Sequence, residues 1–146
     1  MEHPATLARI RTLLLGTLAF GTVGMTTELL LLGHIESVWQ WTPVALLGAG
    51  AVILTWHAAA PSRATVRVLQ ATMMLFIVTG GIGVGLHYDG NVEFELEMYP
   101  SMGGFELVTK TLTGATPVLA PGTMAILGLV GLALVYRHPA IEERQS

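Results

Sequence analysis

The chain has 146 residues, is 52% hydrophobic, has 12% charged residues and carries a formal net charge of -3. A soluble domain holds about 25% charged residues, and a nucleic-acid binder shows a basic stripe; this chain has neither feature. With no cysteine, disulfides, thiolate metal sites, Cys-x-x-Cys redox chemistry and covalent c-type haem attachment are excluded.

Charged residues collect between long apolar runs, the pattern of membrane spans joined by loops. Four runs are long enough to cross a bilayer, which takes about 20 helical residues. The first expected span covers Thr12 to Gly33 and the second Thr42 to Ala59. The third covers Val66 to Leu86 and the fourth Leu119 to Tyr136. Runs of this length are helical, because barrel strands are about half as long and alternate. The first run begins after basic residues but exceeds a signal-peptide core and lacks a small-x-small cleavage site, so it reads as a retained span. No lipidation motif is present.

Glu28 stands near the outer end of span one, and an intramembrane carboxylate is a functional candidate by default. Thr17, Gly21 and Gly24 share its helical face, a small, polar stripe suited to close packing. The competing reading is that Glu28 snorkels to the headgroups. A glutamate in the first of four spans resembles the small multidrug exporters, although theirs lies nearer mid-membrane.

The Gly33–Trp41 loop is short, and Thr42-Pro43 reads as an N-cap followed by proline at the first helical position. Trp39, Trp41, Trp56, Tyr88 and Tyr136 fall at span ends, where amphipathic rings prefer the headgroup layer. His57 ends span two and reads as a lone headgroup-level residue. Pro61 then breaks the chain before span three. That span is dense in glycine, "TGGIGVGLHY", with Gly81 and Gly85 as a small-xxx-small pair for helix packing.

The connection from Asp89 to Val118 is too long for a simple turn. Its "NVEFELEMYP" alternates with period two, which predicts an extended strand. On that reading Val92, Phe94, Leu96 and Met98 lie on the bundle, and Glu93, Glu95 and Glu97 face water. Phe105 to Leu112 then fits a short amphipathic helix on the surface, through Phe105, Val108 and Leu112. Pro121 and Gly122 open span four.

Six arginines, Arg9, Arg11, Arg63, Arg67, Arg137 and Arg144, fall on one side of this arrangement, and Lys110 is the sole basic residue on the other. The positive-inside rule makes both termini cytoplasmic. The expected architecture is a single all-α integral membrane domain. It is a four-helix bundle with a short extracytoplasmic cap, strand plus amphipathic helix, between spans three and four. A bacterial inner membrane is the expected location.

His34 ends span one and His87 ends span three, so the two imidazoles are expected level at the outer surface. Glu36, Asp89, Glu93, Glu95, Glu97 and Glu106 share that side with Glu28. Histidines with carboxylates, here His34, His87, Glu36, Glu93 and Glu95, suit a divalent metal such as zinc, manganese or iron, although no fixed ligand spacing is present. The alternative is interfacial histidines with solvated acids. A haem between His34 and His87 is geometrically allowed but would sit at the very edge of the bilayer. No Gly-x-Ser-x-Gly elbow, zinc-protease motif or nucleotide-binding loop occurs. The sequence therefore reads as a non-enzymatic accessory subunit of a membrane complex, contacting lipid and other subunits or copies of itself and no nucleic acid. A cation- or substrate-handling protein built on Glu28 and the outer His and Glu residues is the second reading. A haem- or quinone-binding redox subunit is the third.

Overall fold

A computed structural model describes residues 4–142 of the chain; Arg144 lies outside them. The described residues are all helix and turn. The helices are α1 (Pro4–Leu31), α2 (Val38–Ala59), α3 (Arg63–Met98), α4 (Gly104–Leu112), α5 (Gly122–Val135) and α6 (Pro139–Glu142). Helices α1, α2 and α3 are long and apolar enough to cross a membrane, and α5 is a shorter apolar helix. Their surfaces suit lipid. Phe20, Leu31 and Val38 are at least 80% exposed, and Leu13 and Leu119 at least 70%, a display that water would penalise. Threonines on these helices return their hydroxyls to their own backbone, as in Thr26 to Thr22 O at 2.7 Å and Thr55 to Ala51 O at 2.8 Å. That is how a hydroxyl is satisfied where water is absent.

The core runs along α3. Val66, Leu69, Met73 and Phe76 of α3 meet Leu18 of α1, Leu47 and Leu54 of α2, and Met124, Leu127 and Leu134 of α5. The closest approach is between α3 and α5. A Cβ placed on Gly80 would stand 2.7 Å from the Ala125 nitrogen, and one on Gly128 would stand 2.6 Å from the Met73 carbonyl oxygen. Backbone meets backbone there, so only glycine fits. The expected Gly81–Gly85 pair lies on the wrong face: neither has any atom within 4 Å of a built Cβ, whereas Gly80 and Gly83 touch α5 and the Pro121 turn. With glycine at 80, 81, 83 and 85, spacing alone cannot tell which stripe meets a partner.

Two expected boundaries shift. Helix α2 starts at Val38, capped by the Ser37 hydroxyl, which accepts from the Gln40 N–H at 3.3 Å. Gln40 Oε1 in turn accepts the Glu36 N–H at 2.7 Å. This Ser37 cap overrides Thr42-Pro43, and Pro43 lies inside the helix, in its second turn. Helix α5 has only 14 residues, about 21 Å of rise. It is preceded by tight i→i−3 turns, with Ala120 N–H to Pro117 O at 3.2 Å and Gly122 N–H to Leu119 O at 2.9 Å, which carry the chain inward before the α-helix begins.

The largest correction concerns Asn91–Met98, which is not a strand. Helix α3 continues through it without interruption for 36 residues, about 54 Å against a hydrocarbon core of about 30 Å. Measured from Leu86, the last twelve residues rise about 18 Å beyond the apolar run. Alternation persuades as a strand only if something ends the helix first. Glu, Leu and Met favour helix, and no proline intervenes before Pro100. Wound on a helix, the acids separate: Glu93 and Glu97 share one side, and Glu95 falls about 160° away. The apolar set likewise divides. Val92 and Leu96 are half-buried, while Phe94 and Met98 are exposed.

Helix α4 forms where expected. It runs back antiparallel beside the outer part of α3, since five residues join the two and Asn91 bonds to Thr111. It does not lie with its apolar face on the bundle. Thr111 is the buried residue, and Phe105, Val108 and Leu112 point outward at 85%, 39% and 51% exposure.

Candidate functional site

Polar side chains gather at the two ends of the bundle, and each end holds a histidine pair drawn from distant parts of the chain.

At the end away from the described arginines, called outer on the expected orientation, His34 in the α1–α2 loop approaches His87 of α3, with ring centres 6.5 Å apart. His87 Nδ1 lies 3.0 Å from the Pro117 carbonyl oxygen. A carbonyl only accepts, so Nδ1 carries the proton and the neutral ring presents its lone pair at Nε2. His34 is half-buried, and its backbone N–H bonds the Leu29 carbonyl at 2.9 Å. Burial, and then the neighbouring His87, push the His34 imidazole below its ordinary pKa, which favours the neutral ring.

The expected carboxylates do not join them: among the described residues, no three of His, Asp and Glu come together as a metal cluster. Glu36 is exposed beside the Ser37 cap, Glu93 is exposed and Glu95 half-buried on another face of α3. Glu28 lies in the last turn of α1, one turn from the helix end, and is exposed. Of its expected packing face, Gly21 meets Leu127, while Gly24 faces open space and Thr17 is exposed.

Just above the His87 level sits Asn91, which the sequence reading passed over. It is 2% exposed. Its side-chain NH2 donates to Thr111 O at 2.9 Å and to Thr116 O at 2.7 Å, and its Oδ1 accepts the Thr116 N–H at 3.2 Å. One amide thereby ties the projecting part of α3 to the end of α4 and to the turn before α5. Gly114 leaves room for it, since a Cβ there would stand 2.8 Å from Asn91 Nδ2. A buried side chain that can satisfy three backbone groups at once is the physical origin of the cap.

At the arginine-bearing end, called inner on the expected orientation, His57 is not alone. It is 4% exposed. Its Nδ1 lies 3.1 Å from the Thr65 hydroxyl, and its ring centre lies 5.2 Å from that of His138. Thr65 belongs to the cap of α3. Its hydroxyl accepts the Ser62 N–H at 2.9 Å and lies 2.9 Å from Ser62 O. His138 Nδ1 accepts the Ala140 N–H at 3.3 Å. Arg11 reaches across to the Arg137 carbonyl at 2.9 Å, and Arg137 takes the left-handed backbone, φ 45°, that turns the chain out of α5. The sequence signals were Thr65 in Ser-x-x-Thr and a histidine at each end of the inner loops. What joined them is the return of α5.

Burial, then His57, then Arg11 push the His138 imidazole below its ordinary pKa. The folded state therefore disfavours the proton that the unfolded chain accepts below about pH 6.5. The contribution to stability is present above that pH and is lost as pH falls through the folded value. Thermal unfolding in detergent at pH 5.5 is expected to come on the order of a few degrees below that at pH 7.5, and His138→Gln is expected to shrink the difference. An unchanged difference in that variant would place the pH dependence elsewhere.

No family model, no curated protein and no solved structure matches this chain.

Proposed function

We propose that this is a small integral membrane protein that works as a non-enzymatic interaction subunit, with the α3–α4 hairpin as its docking element. The supporting observation is the hairpin itself. It rises beyond the apolar run of α3, is braced by Asn91, and leaves Phe94, Met98, Phe105 and Leu112 at least half exposed. A hairpin lying in the membrane would turn such residues to lipid; one standing off it needs a protein to cover them. Glu93, Glu97 and Glu106 are exposed around them, so the partner surface is apolar with a basic rim. The arginine-rich end is cytoplasmic by the positive-inside rule, the hairpin faces outward, α5 serves as a fourth span, and the host is a bacterial inner membrane.

A photo-crosslinking residue at position 105, in the full chain in native membranes, tests this. The expected outcome is one protein adduct of discrete mass, weakened severalfold by 0.5 M salt and abolished by Leu112→Glu. A lipid adduct alone, a homodimer alone, or an adduct indifferent to Leu112→Glu would overturn the reading.

A further inference from the structure

We propose that His34 and His87 form an open, two-imidazole site for a zinc or copper ion at the outer end of the bundle. The site does not depend on the docking role of the hairpin.

His87 has the tautomer a metal ligand needs. The Pro117 carbonyl at 3.0 Å holds Nδ1–H and leaves Nε2 free as a lone pair. This is the arrangement by which a carbonyl fixes the tautomer and direction of a metal-binding histidine. The spacing agrees. Two imidazoles bound in line through one ion, at about 2.1 Å per bond, have ring centres roughly 6.5 Å apart, and a tetrahedral angle brings them to roughly 5 Å. The observed separation is 6.5 Å with the planes 56° apart. His34 sits on a short loop next to Gly33, whose φ is +64°, and can close the remaining distance by a side-chain turn.

The inner pair provides the contrast. There the ring centres are closer, 5.2 Å, but His138 Nδ1 already accepts a backbone N–H. Its neutral form must then carry the proton on Nε2, the nitrogen an ion would need. The inner pair is satisfied within the fold, and the outer pair is not. No third His, Asp or Glu of the described residues completes a cluster, so water fills the other positions. The ion is exchangeable rather than structural. Imidazole ligands without a carboxylate select copper and zinc over magnesium and calcium. Asp89 and the glutamates of the hairpin raise the local cation concentration without binding the ion.

Full-length protein carrying a non-histidine tag, in detergent at pH 7.5, is dialysed against Zn2+ or Cu2+, and bound metal is measured by mass spectrometry. One ion per chain is expected, with Cu2+ tighter than Zn2+. His34→Ala and His87→Ala are each expected to weaken binding at least tenfold, and His138→Gln to leave it unchanged. Retention of full affinity in both outer variants, or displacement of Zn2+ by millimolar Ca2+, would overturn the site in favour of a diffuse acidic surface. Histidine side-chain NMR on the unmodified protein guards against a misfolded variant. Substoichiometric Cu2+ should broaden two of the five imidazole signals, those missing from the His34→Gln and His87→Gln spectra. Broadening of the His57 or His138 signals first would equally overturn it.

Discussion

Gly128→Ala is expected to destabilise the bundle by about 1–3 kcal/mol, and Gly80→Ala by a comparable amount. In both cases the new methyl meets backbone: the Met73 carbonyl oxygen at 2.6 Å for position 128, and the Ala125 nitrogen and Pro121 oxygen at 2.7 and 2.9 Å for position 80. Backbone atoms have no rotamer to change, so α3 and α5 must separate. Separation strips contacts from Met73, Phe76 and Met124, which are almost completely buried. The same substitution one residue along should do the reverse. Gly81→Ala and Gly85→Ala place their methyl groups in open space, and alanine favours helix over glycine by up to about 1 kcal/mol. Circular dichroism during denaturation in mixed micelles should therefore separate the four alanine variants, three on α3 and one on α5, into two losses and two small gains. Equal effects at positions 80 and 81 would refute the α3–α5 seam.

Asn91→Ala should release the outer cap while leaving the bundle assembled. It removes two donors from the Thr111 and Thr116 carbonyls and one acceptor from the Thr116 N–H; the Thr111 bond is buried and the two to Thr116 are half-buried. Unsatisfied groups of this kind cost about 1–3 kcal/mol each. A total of about 2 kcal/mol is large for a nine-residue helix that packs on α3 alone. Asn91→Asp is nearly isosteric but should do at least as much harm, because a carboxylate would face two carbonyl oxygens with no proton to offer. Hydrogen exchange over residues 104–117 should accelerate at least tenfold in both variants, with the exchange of the α2 and inner α3 amides unchanged. Protection retained in Asn91→Asp would mean that shape, not hydrogen bonding, holds the cap.

The two results together bear on the function proposed above. Loss of the cap should abolish the crosslink at position 105 without unfolding the bundle, whereas loss of the seam should affect both. The metal site lies between the two structures. His87 takes its orientation from Pro117, which leads into α5, so Gly80→Ala is expected to weaken Zn2+ binding more than Asn91→Asp does.

Much of the frame could be read from residue types. Long uncharged runs show where helices can meet lipid, because an unpaired charge or backbone group in hydrocarbon is too costly to be tolerated. The arginines collect at one end, and Pro121 with Gly122 marks the start of α5 as expected. The amphipathic period of Phe105–Leu112 correctly locates α4. The outer meeting of His34 and His87 was also legible, since two parallel spans of similar length must finish level. The cap of α2 was present in Ser37-x-x-Gln40 but lost to the stronger-looking Thr42-Pro43. The strand at Asn91–Met98 failed because a period of two describes side chains, not the hydrogen bonding of the backbone, and an established helix continues until something stops it.

Composition and solvation act residue by residue, so the apolar helical class and the places where charges gather are carried by the chain alone; the fourth expected span is not, since among the described residues three helices are long enough to cross a membrane and α5 has 14 residues. Which glycines meet α5, why Asn91 is buried, and why His57 has a partner depend on residues 20 to 81 positions apart being brought together. Those contacts exist only after the return of α4 and α5 has set one helix face against another. Local sequence holds no record of them, because each partner there has an equally good local reason to be what it is.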